Sequence, residues 1–311
     1  MTALAQRDVF GDTLVELCNE DARVAVLDGD LANSTKSDKV ALARPDRFFM
    51  IGIAEQNLIG VAAGMAAAGL IPWVSSFAAF LATRDLDQVR VVVAQPSLNV
   101  KLAAHYSGIL TGFTGKTHQV PNDIAIMRSL PNMTVIAPCD GEEARMAIRA
   151  ATIHEGPVYM RLTRDPIAGV TRAGKPFRIG KASMLRVGKD AGIVSTGGQT
   201  VRALEAAQTL SEAGIDVAVL HVPTIKPMDG DAVVEFAGRV PLIFTCEEHS
   251  IYGGLGGAVA ELLAEIRPAR VIRLGLRDVD GESGPNDALL EKYGLSAGCV
   301  HHRIQETLAS A

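Results

Sequence analysis

The chain has 311 residues, of which 48% are hydrophobic and 21% are charged, and its formal net charge is -5. These values are ordinary for a globular protein, and the scattered Lys and Arg residues argue against a nucleic-acid-binding surface. The four cysteines lie far apart and match no zinc-binding spacing. No segment is typical of a signal peptide or a membrane span. We therefore expect a protein of the reducing cytoplasm without membrane contact.

Short apolar runs alternate with helical patterns along the first half of the chain. The predicted strands are 24–27, 48–51, 72–75, 100–103, 134–137 and 158–161. The predicted helices lie at about 8–16, 56–69, 77–94, 122–130 and 141–154. Because these strands are continuously apolar rather than alternating, they predict a mainly parallel sheet that is covered on both faces.

A change of composition separates this half from the next one. Residues 165–181 contain several Gly, Pro and basic residues without periodicity, which is typical of a linker. A second series follows, with strands at 191–195, 217–221, 241–245 and 270–274 and helices at 200–213, 230–237 and 301–309. The sequence thus predicts an α/β protein with a doubly wound, mainly parallel domain at 1–166, a linker at 167–183 and a smaller α/β domain at 184–311.

Two glycine-rich turns precede helices in the second half, at 196–198 and 253–257. Neither carries the Lys-Ser/Thr ending of a P-loop, and neither fits the dinucleotide fingerprint well. Close packing of a helix against a sheet is the favoured explanation of these glycines, and we predict no nucleotide site there.

A lone acidic residue, Glu55, stands between a predicted buried strand that ends at Gly52 and a helix rich in Ala and Gly. Such a carboxyl group could face a ligand from an apolar wall. It could also be a helix-start residue that the macrodipole favours. The segment Gly52-Ile-Ala-Glu55-Gln-Asn57 leaves both explanations open.

Taken in chain order, the motifs resemble the transketolase family of thiamine-diphosphate enzymes. The first half resembles the family's pyrimidine-binding domain and the second half its C-terminal domain. The whole chain looks like the C-terminal section of a split, two-subunit transketolase. On this resemblance Glu55 hydrogen-bonds N1′ of the cofactor's aminopyrimidine ring, and burial suits that role because it favours a protonated carboxyl group. Phe77 and Phe80 line the pyrimidine site, although an ordinary core pair on one helix face explains them as well.

The resemblance also implies roles for two histidines and an anion site. His105 and His118, the latter in Thr117-His118-Gln119, match the family's proton-transfer residues. Arg7, Ser34 and Arg164 match positions that bind the sugar phosphate, which His118 also contacts, and arginine suits phosphate by its bidentate geometry. Residues 113–116 depart from the family's Glu-Asp-Gly pattern, and this departure puts donor specificity in doubt.

Members of this family bind the diphosphate and its Mg²⁺ or Ca²⁺ through a Gly-Asp-Gly segment and a later Asn. We find no such segment and expect no metal ligands in this chain. The expected partner is an N-terminal-type transketolase subunit that carries the diphosphate-binding domain. An α2β2 assembly with active sites between subunits would follow.

The resemblance implies transfer of a two-carbon ketol unit from a ketose or ketose phosphate to an aldose. Three alternatives stay open at this point. They are the β subunit of a 2-oxoacid dehydrogenase, a 1-deoxyxylulose-5-phosphate-synthase-like enzyme that uses pyruvate, and a non-catalytic assembly subunit. Thr117-His118-Gln119 and Ser34 look more like transketolase than like the dehydrogenase.

Overall fold

The computed structural model describes residues 3–171 and 176–310. Part of the predicted linker, residues 172–175, therefore lies outside the described residues. Within them, the structure confirms the α/β fold, with one seven-stranded and one five-stranded sheet that are both mainly parallel. A separate two-stranded pair joins the start of the chain to the residues that follow the first domain.

The first half contains fifteen strands and α-helices in chain order. They are β1 (Leu4–Ala5), α1 (Gln6–Glu20), β2 (Val24–Asp28), α2 (Ala32–Thr35), α3 (Asp38–Ala43), β3 (Phe48–Met50), α4 (Glu55–Ala67), β4 (Ile71–Phe77), α5 (Leu86–Gln88), β5 (Lys101–His105), α6 (Asp123–Ser129), β6 (Thr134–Ile136), α7 (Gly141–Ile153), β7 (Val158–Leu162) and β8 (Pro166–Ile167). Two π-helical segments, Phe80–Arg84 and Val89–Ala94, flank α5.

The second half continues with the remaining strands and helices. They are β9 (Ser183–Arg186), β10 (Ala191–Ser195), α8 (Gln199–Glu212), β11 (Val217–His221), β12 (Thr224–Lys226), α9 (Gly230–Ala237), β13 (Ile243–Ser250), α10 (Leu255–Ile266), β14 (Val271–Leu276), α11 (Asn286–Lys292) and α12 (Ala297–Ala309). In the described part of the chain, no helix is long and apolar enough to cross a membrane.

The two halves are joined by a shared sheet as well as by the linker. The larger sheet has the order β12-β6-β7-β5-β4-β2-β3, so β12 of the second half pairs antiparallel with β6 of the first. The smaller sheet has the order β14-β13-β10-β11-β9. Because one sheet contains strands from both halves, their relative orientation is fixed by backbone hydrogen bonds. The sequence did not predict β12, since its partner lies far away in the chain.

Both faces of the larger sheet are covered, as the continuous apolar strands predicted. On β4, Trp73 and Val74 point in opposite directions and belong to different buried clusters. The cluster that contains Val74 continues through Val194 and Leu220 of the smaller sheet. One apolar cluster therefore contains side chains from both halves and connects them.

Two predictions of local structure are wrong. The strand at 48–51 is not buried, because β3 is the edge strand of its sheet and leaves Phe49 41% and Met50 48% exposed. The helix predicted over 77–94 starts later, since β4 continues to Phe77, which pairs with His105 of β5. Phe77 and Phe80 thus do not share a helix face.

The glycines at 253–257 have the structural role that the sequence favoured. The carboxylate of Glu247 accepts hydrogen bonds from the amides of Leu255 and Gly256 at 2.6 and 2.7 Å. A Cβ atom on Gly254 would stand 2.1 Å from Glu247 Oε2, so only glycine fits there. The N-terminus of α10 is therefore filled by a side chain of the protein.

Candidate functional site

The predicted site residues lie at the carboxyl edge of the larger sheet, where the parallel strands end and loops begin. Glu55 follows β3, Phe77 ends β4, His105 ends β5 and Arg164 follows β7. Ligands of open α/β sheets bind at this edge, because loops from several strands converge there. The topology therefore brings together residues that are distant in the chain.

Glu55 is the first residue of α4 and its side chain is only 3% exposed. Among the described residues, the hydrogen-bonding partner of its side chain is Arg84, whose Nη1 donates to Glu55 Oε1 at 2.8 Å. Arg84 ends the first π-helical segment and keeps 47% of its side chain exposed. The carboxylate thus lies at the boundary of the core, paired with a cation that can move into solvent.

Asp85, the neighbour of Arg84, is fully buried, and neither of its carboxylate oxygens has a hydrogen-bonding partner. Burial raises its pKa to about 8, and the nearby charge of Glu55 acts in the same direction. Burial therefore favours the neutral form of Asp85, next to Arg84 in the chain.

An aromatic cluster adjoins the acid. Phe77 and Phe80 stack with ring centroids 5.9 Å apart, and Tyr106 packs on Phe77 at 4.3 Å. His118 meets Phe80 edge-on at 5.4 Å, while its Nδ1 lies 2.9 Å from the hydroxyl of Thr117. The guanidinium of Arg84 lies over the Phe80 ring at 4.3 Å. Glu55, the two phenylalanines and His118 therefore border one continuous surface.

Tyr106 connects this cluster to the predicted anion site. Arg7 Nη1 donates to the Tyr106 hydroxyl at 2.7 Å and to the carbonyl oxygen of Ser34 at 3.2 Å. Arg164 approaches the same tyrosine ring at 5.6 Å. The buried Nε atoms of Arg7 and Arg164 have no partner. Two arginines with unused donors around one phenol make a suitable place for an anion.

The loop that carries Ser34 is held by Asp28 at the end of β2. Asp28 is fully buried and accepts hydrogen bonds from Leu31 N at 2.6 Å, Ser37 Oγ at 2.7 Å and Thr35 Oγ1 at 3.2 Å. Burial raises the pKa of Asp28 despite these bonds. The rigid loop places Ser34 beside Arg7.

His105 differs from the other predicted residues. It is fully buried, packs edge-on against Phe10 at 4.7 Å, and neither ring nitrogen has a partner. Burial lowers its pKa to about 3, so it stays neutral. The next residue, Tyr106, has a left-handed backbone with φ 57° and contacts Arg7 of the predicted anion site. This geometry does not favour proton transfer by His105.

The structure thus brings together two groups, one around Glu55 with Phe77, Phe80 and His118, and one of Arg7, Ser34 and Arg164. Tyr106 links the groups and Arg84 pairs with the acid, and sequence reasoning missed both residues. A signal for Tyr106 was present in its position directly after a buried strand. Arg84 follows Phe80 by one helical turn, which could have suggested contact with the aromatic ring.

Two family models match the chain. The model described as "Transketolase, pyrimidine binding domain" covers residues 2–168, and "Transketolase, C-terminal domain" covers residues 180–300. Together they span both sheets and every residue of the candidate site.

Relatives of similar length cover nearly the whole chain. The "6-deoxy-6-sulfo-D-fructose transketolase subunit SqwH" of Clostridium sp. (strain MSTE9) is 43% identical over 94% of this chain and 90% of that protein. A Methanocaldococcus jannaschii protein whose name contains the words "transketolase C-terminal section" is 42% identical over 97% of this chain and 96% of its own length. A solved structure described as "Split gene transketolase, inactive beta4 tetramer" is 45% identical, with a TM-score of 0.92 over 98% of this chain and 99% of that one.

Proposed function

Since the chain belongs to the transketolase family, we propose that it is the pyrimidine-binding and C-terminal subunit of a two-subunit, thiamine-diphosphate-dependent transketolase. The reaction is transfer of a two-carbon ketol unit from a ketose to an aldose. Thiamine diphosphate, when bound, supplies the carbanion-stabilising chemistry of that transfer. The residues of this chain bind and orient the reactants and handle protons.

The contacts of Arg84 are the observation that supports the proposal most. Its planar guanidinium donates a hydrogen bond to Glu55 Oε1 and lies over the ring of Phe80. These are the two contacts that the family resemblance gives to the aminopyrimidine ring. A flat, hydrogen-bonding group therefore fits between this acid and this aromatic ring, and the cofactor ring would replace the guanidinium.

Glu55 would hold a proton on the oxygen that now accepts from Arg84 and share it with N1′. Displacement of Arg84 would free the Glu55 oxygen that now accepts its hydrogen bond, so that this oxygen could face the ring instead. Phe77 and Phe80 would fix the plane of the ring. His118, half-buried beside them, is placed to move protons at the substrate hydroxyls.

Arg7, Ser34 and Arg164 would bind the anionic end of the ketose, with Tyr106 fixing the two guanidiniums. The unpaired Nε atoms provide donors for a tetrahedral oxyanion. A phosphate is the first candidate, and a sulfonate has the same three-oxygen geometry. The sulfosugar named for the Clostridium relative supports testing both.

A partner subunit would bind at the exposed face of α4, beside Glu55. Gly60 and Gly64 lie on that face, and an added Cβ would meet no atom within 4 Å at either position. Ile53, just before α4, is 74% exposed. The partner would supply the diphosphate-binding domain and the ligands of Mg²⁺ or Ca²⁺ in an α2β2 assembly. The related split transketolase, described as inactive in its β4 form, supports this requirement.

The decisive experiment reconstitutes the chain with a diphosphate-binding transketolase subunit from the same organism. Ketol transfer is assayed with a ketose phosphate, a sulfonated ketose and a 2-oxoacid as donors. We expect activity only in the complex and only with a ketose donor. Glu55→Gln should reduce kcat by at least about 100-fold, whereas Asp87→Asn, an exposed acid on the neighbouring helix, should not.

Three results would overturn the proposal in different parts. Turnover by this chain alone would remove the need for a partner. Undiminished activity of Glu55→Gln would remove the role of that acid. Turnover of 2-oxoacids alone would indicate the dehydrogenase or synthase alternative.

A further inference from the structure

A second cluster of reactive side chains lies between the two domains, away from the site around Glu55. Cys139 follows β6, Glu143 lies in the first turn of α7, and His221 ends β11. One ligand atom of each lies within 4.8 Å of the other two, and all three residues are buried. Thiolate, carboxylate and imidazole are the ligands that zinc sites in proteins use.

The histidine of this cluster is held in a fixed orientation. Its Nε2 lies 2.8 Å from Glu143 Oε2, and its Nδ1 lies 2.8 Å from the hydroxyl of Thr200. Without a metal ion, the contact to Glu143 needs the imidazole proton on Nε2, and Nδ1 then accepts from the Thr200 hydroxyl. With an ion bound, the proton would lie on Nδ1 and be donated to Thr200, and the lone pair of Nε2 would face the metal. Metal-ligating histidines are oriented by such a bond on their second nitrogen.

A plain Glu–His pair accounts for two of the three groups but not for the thiol. Cys139 Sγ contacts Thr171 Oγ1 at 3.6 Å, an ordinary distance for a weak hydrogen bond of a thiol, and the Glu143 carboxylate lies near the same sulfur. The backbone amide of Cys139 already donates to Glu143 Oε2 at 2.7 Å, so the thiol is not needed to satisfy that carboxylate. A buried cysteine usually packs among apolar side chains, whereas this one borders two ionisable groups.

The cluster is also accessible to a small ion. Cys139, Glu143 and His221 lie on the wall of a cavity of about 530 Å³ between the two domains. Thr171 and Lys181 line the same cavity. An ion could enter through it, and a fourth coordination position would face this space.

We propose that Cys139, Glu143 and His221 bind a borderline divalent cation of the zinc class and so join the two domains. Binding releases the thiol proton to solvent and requires the imidazole proton to move from Nε2 to Nδ1, where Thr200 accepts it. The S, N and O donor set favours Zn²⁺ or Co²⁺ over Mg²⁺ and Ca²⁺, which prefer oxygen ligands. The site is therefore distinct from the metal expected with the cofactor, and it does not depend on the proposed function.

Cobalt gives the direct test, because a Co²⁺–thiolate bond produces a sulfur-to-metal charge-transfer band in the near ultraviolet. Co²⁺ is titrated into the full chain, first stripped of metal with a chelator. We expect one equivalent to produce the band, and Zn²⁺ but not Mg²⁺ to displace it. Absence of the band in the wild-type chain overturns the proposal whatever the variants do.

Substitutions then show which cysteine forms the Co²⁺–thiolate bond. Cys139→Ser should remove the band, and His221→Asn should weaken Co²⁺ affinity at least about tenfold. Cys299→Ser is the matched control, since Cys299 is the half-exposed thiol and lies near His301 and His302. A band that survives in Cys139→Ser and disappears in Cys299→Ser would mean adventitious surface binding and would refute the site. Should Cys139→Ser fail to fold, Cys139→Ala provides the same comparison, and the isosteric Glu143→Gln should weaken Co²⁺ affinity while the thiolate band is kept.

Discussion

Buried carboxylates are handled differently in two regions of this molecule. We use interdomain seam for the buried polar groups at the boundary of the two domains, some bonded across it and some within one domain: Asp123, Asp140, Glu143, Arg161, His221 and Glu248. In the seam, Asp140 accepts from three backbone amides, those of Glu143, Val170 and Thr171, each at 2.7 or 2.8 Å. At the candidate site, Glu55 has one partner and Asp85 has none.

The difference separates structural acids from candidate functional ones. A buried carboxylate costs several kcal/mol unless it is paired or hydrogen-bonded, and Asp123, Asp140 and Glu143 each have at least two such partners. Asp123 meets this cost through Oδ2 alone, since its Oδ1 has no partner among the described residues. His221 lowers the pKa of Glu143 although burial alone would raise it. Asp28 beside the site is also fully bonded, whereas Glu55 and Asp85 are not, and a ligand could complete the bonding of Glu55.

The largest expected effect on stability concerns Asp123 in the seam. Its Oδ2 accepts from Arg161 Nε at 2.8 Å and from the Tyr159 hydroxyl at 2.9 Å, and both partners are buried. Asp123→Asn leaves the guanidinium buried without its counter-charge, which should lower the free energy of unfolding by about 3–5 kcal/mol. Chemical denaturation at pH 7 measures the loss.

The control for Asp123 is an ion pair on the surface. Asp87 and Arg90 pair at 2.7 Å with both side chains about half exposed or more. Asp87→Asn should leave the unfolding free energy unchanged, because solvent screens such pairs. Equal losses of unfolding free energy in Asp123→Asn and Asp87→Asn would contradict a structural role specific to the seam.

Unlike Asp123→Asn, Asp85→Asn should raise the free energy of unfolding, and the size of this gain should depend on pH. Its pKa rises from 3.8 to about 8 in the folded state, so between these values the folded chain binds one proton more than the unfolded chain. The stabilisation is complete below about pH 4 and is lost as the pH rises through about 8. The wild type should therefore lose roughly 2–3 kcal/mol between pH 5.5 and 7.5 through this group, at about 1.4 kcal/mol per unit.

Asparagine cannot ionise, so Asp85→Asn should gain stability relative to the wild type as the pH rises. Denaturation curves of both chains at pH 5.5 and 7.5 measure the difference, with Asp87→Asn as the exposed control. A constant difference between the two pH values would mean that Asp85 is already ionised at pH 5.5.

The two regions also differ in what the sequence could predict. Continuous apolar strands and the placement of Glu55 between a strand and a small-residue helix depend on local sequence, and they led to the α/β fold and the acid of the site. The seam depends on pairs such as Glu143 and His221, 78 positions apart. No local pattern predicts such contacts.

Within the site, the contacts that the sequence did not predict also have physical causes. The role expected of His105 stays a prediction, while the structure buries its ring and the next residue, Tyr106, with its left-handed backbone, contacts Arg7. Arg84 contacts Glu55 from a π-helical segment. A π-helix has a wider turn than the α-helix expected over 77–94, so its side chains point in different directions. Both contacts are set by tertiary structure.

Arg84→Gln tests whether the arginine competes with the cofactor. A half-exposed ion pair contributes about 0.2–1 kcal/mol and a cation–π contact about 0.5–1 kcal/mol. Removing both should strengthen binding of thiamine diphosphate by about tenfold in the reconstituted complex. Calorimetric titration at saturating Mg²⁺ measures this, and Arg90→Gln should bind like the wild type. Weaker binding in Arg84→Gln would instead mean that Arg84 helps to hold the cofactor.

The smallest expected change in stability is that of Glu55→Gln. Although Glu55 is as buried as the seam acids, its only partner is a guanidinium that solvent can take over. Loss of the pair should therefore alter the unfolding free energy by about 1 kcal/mol or less, while the same variant loses ketol transfer. Denaturation of the isolated chain beside Asp123→Asn gives the comparison. A loss as large as that of Asp123→Asn would place Glu55 among the structural acids. A carboxyl group that serves function rather than folding can be replaced with little loss of unfolding free energy.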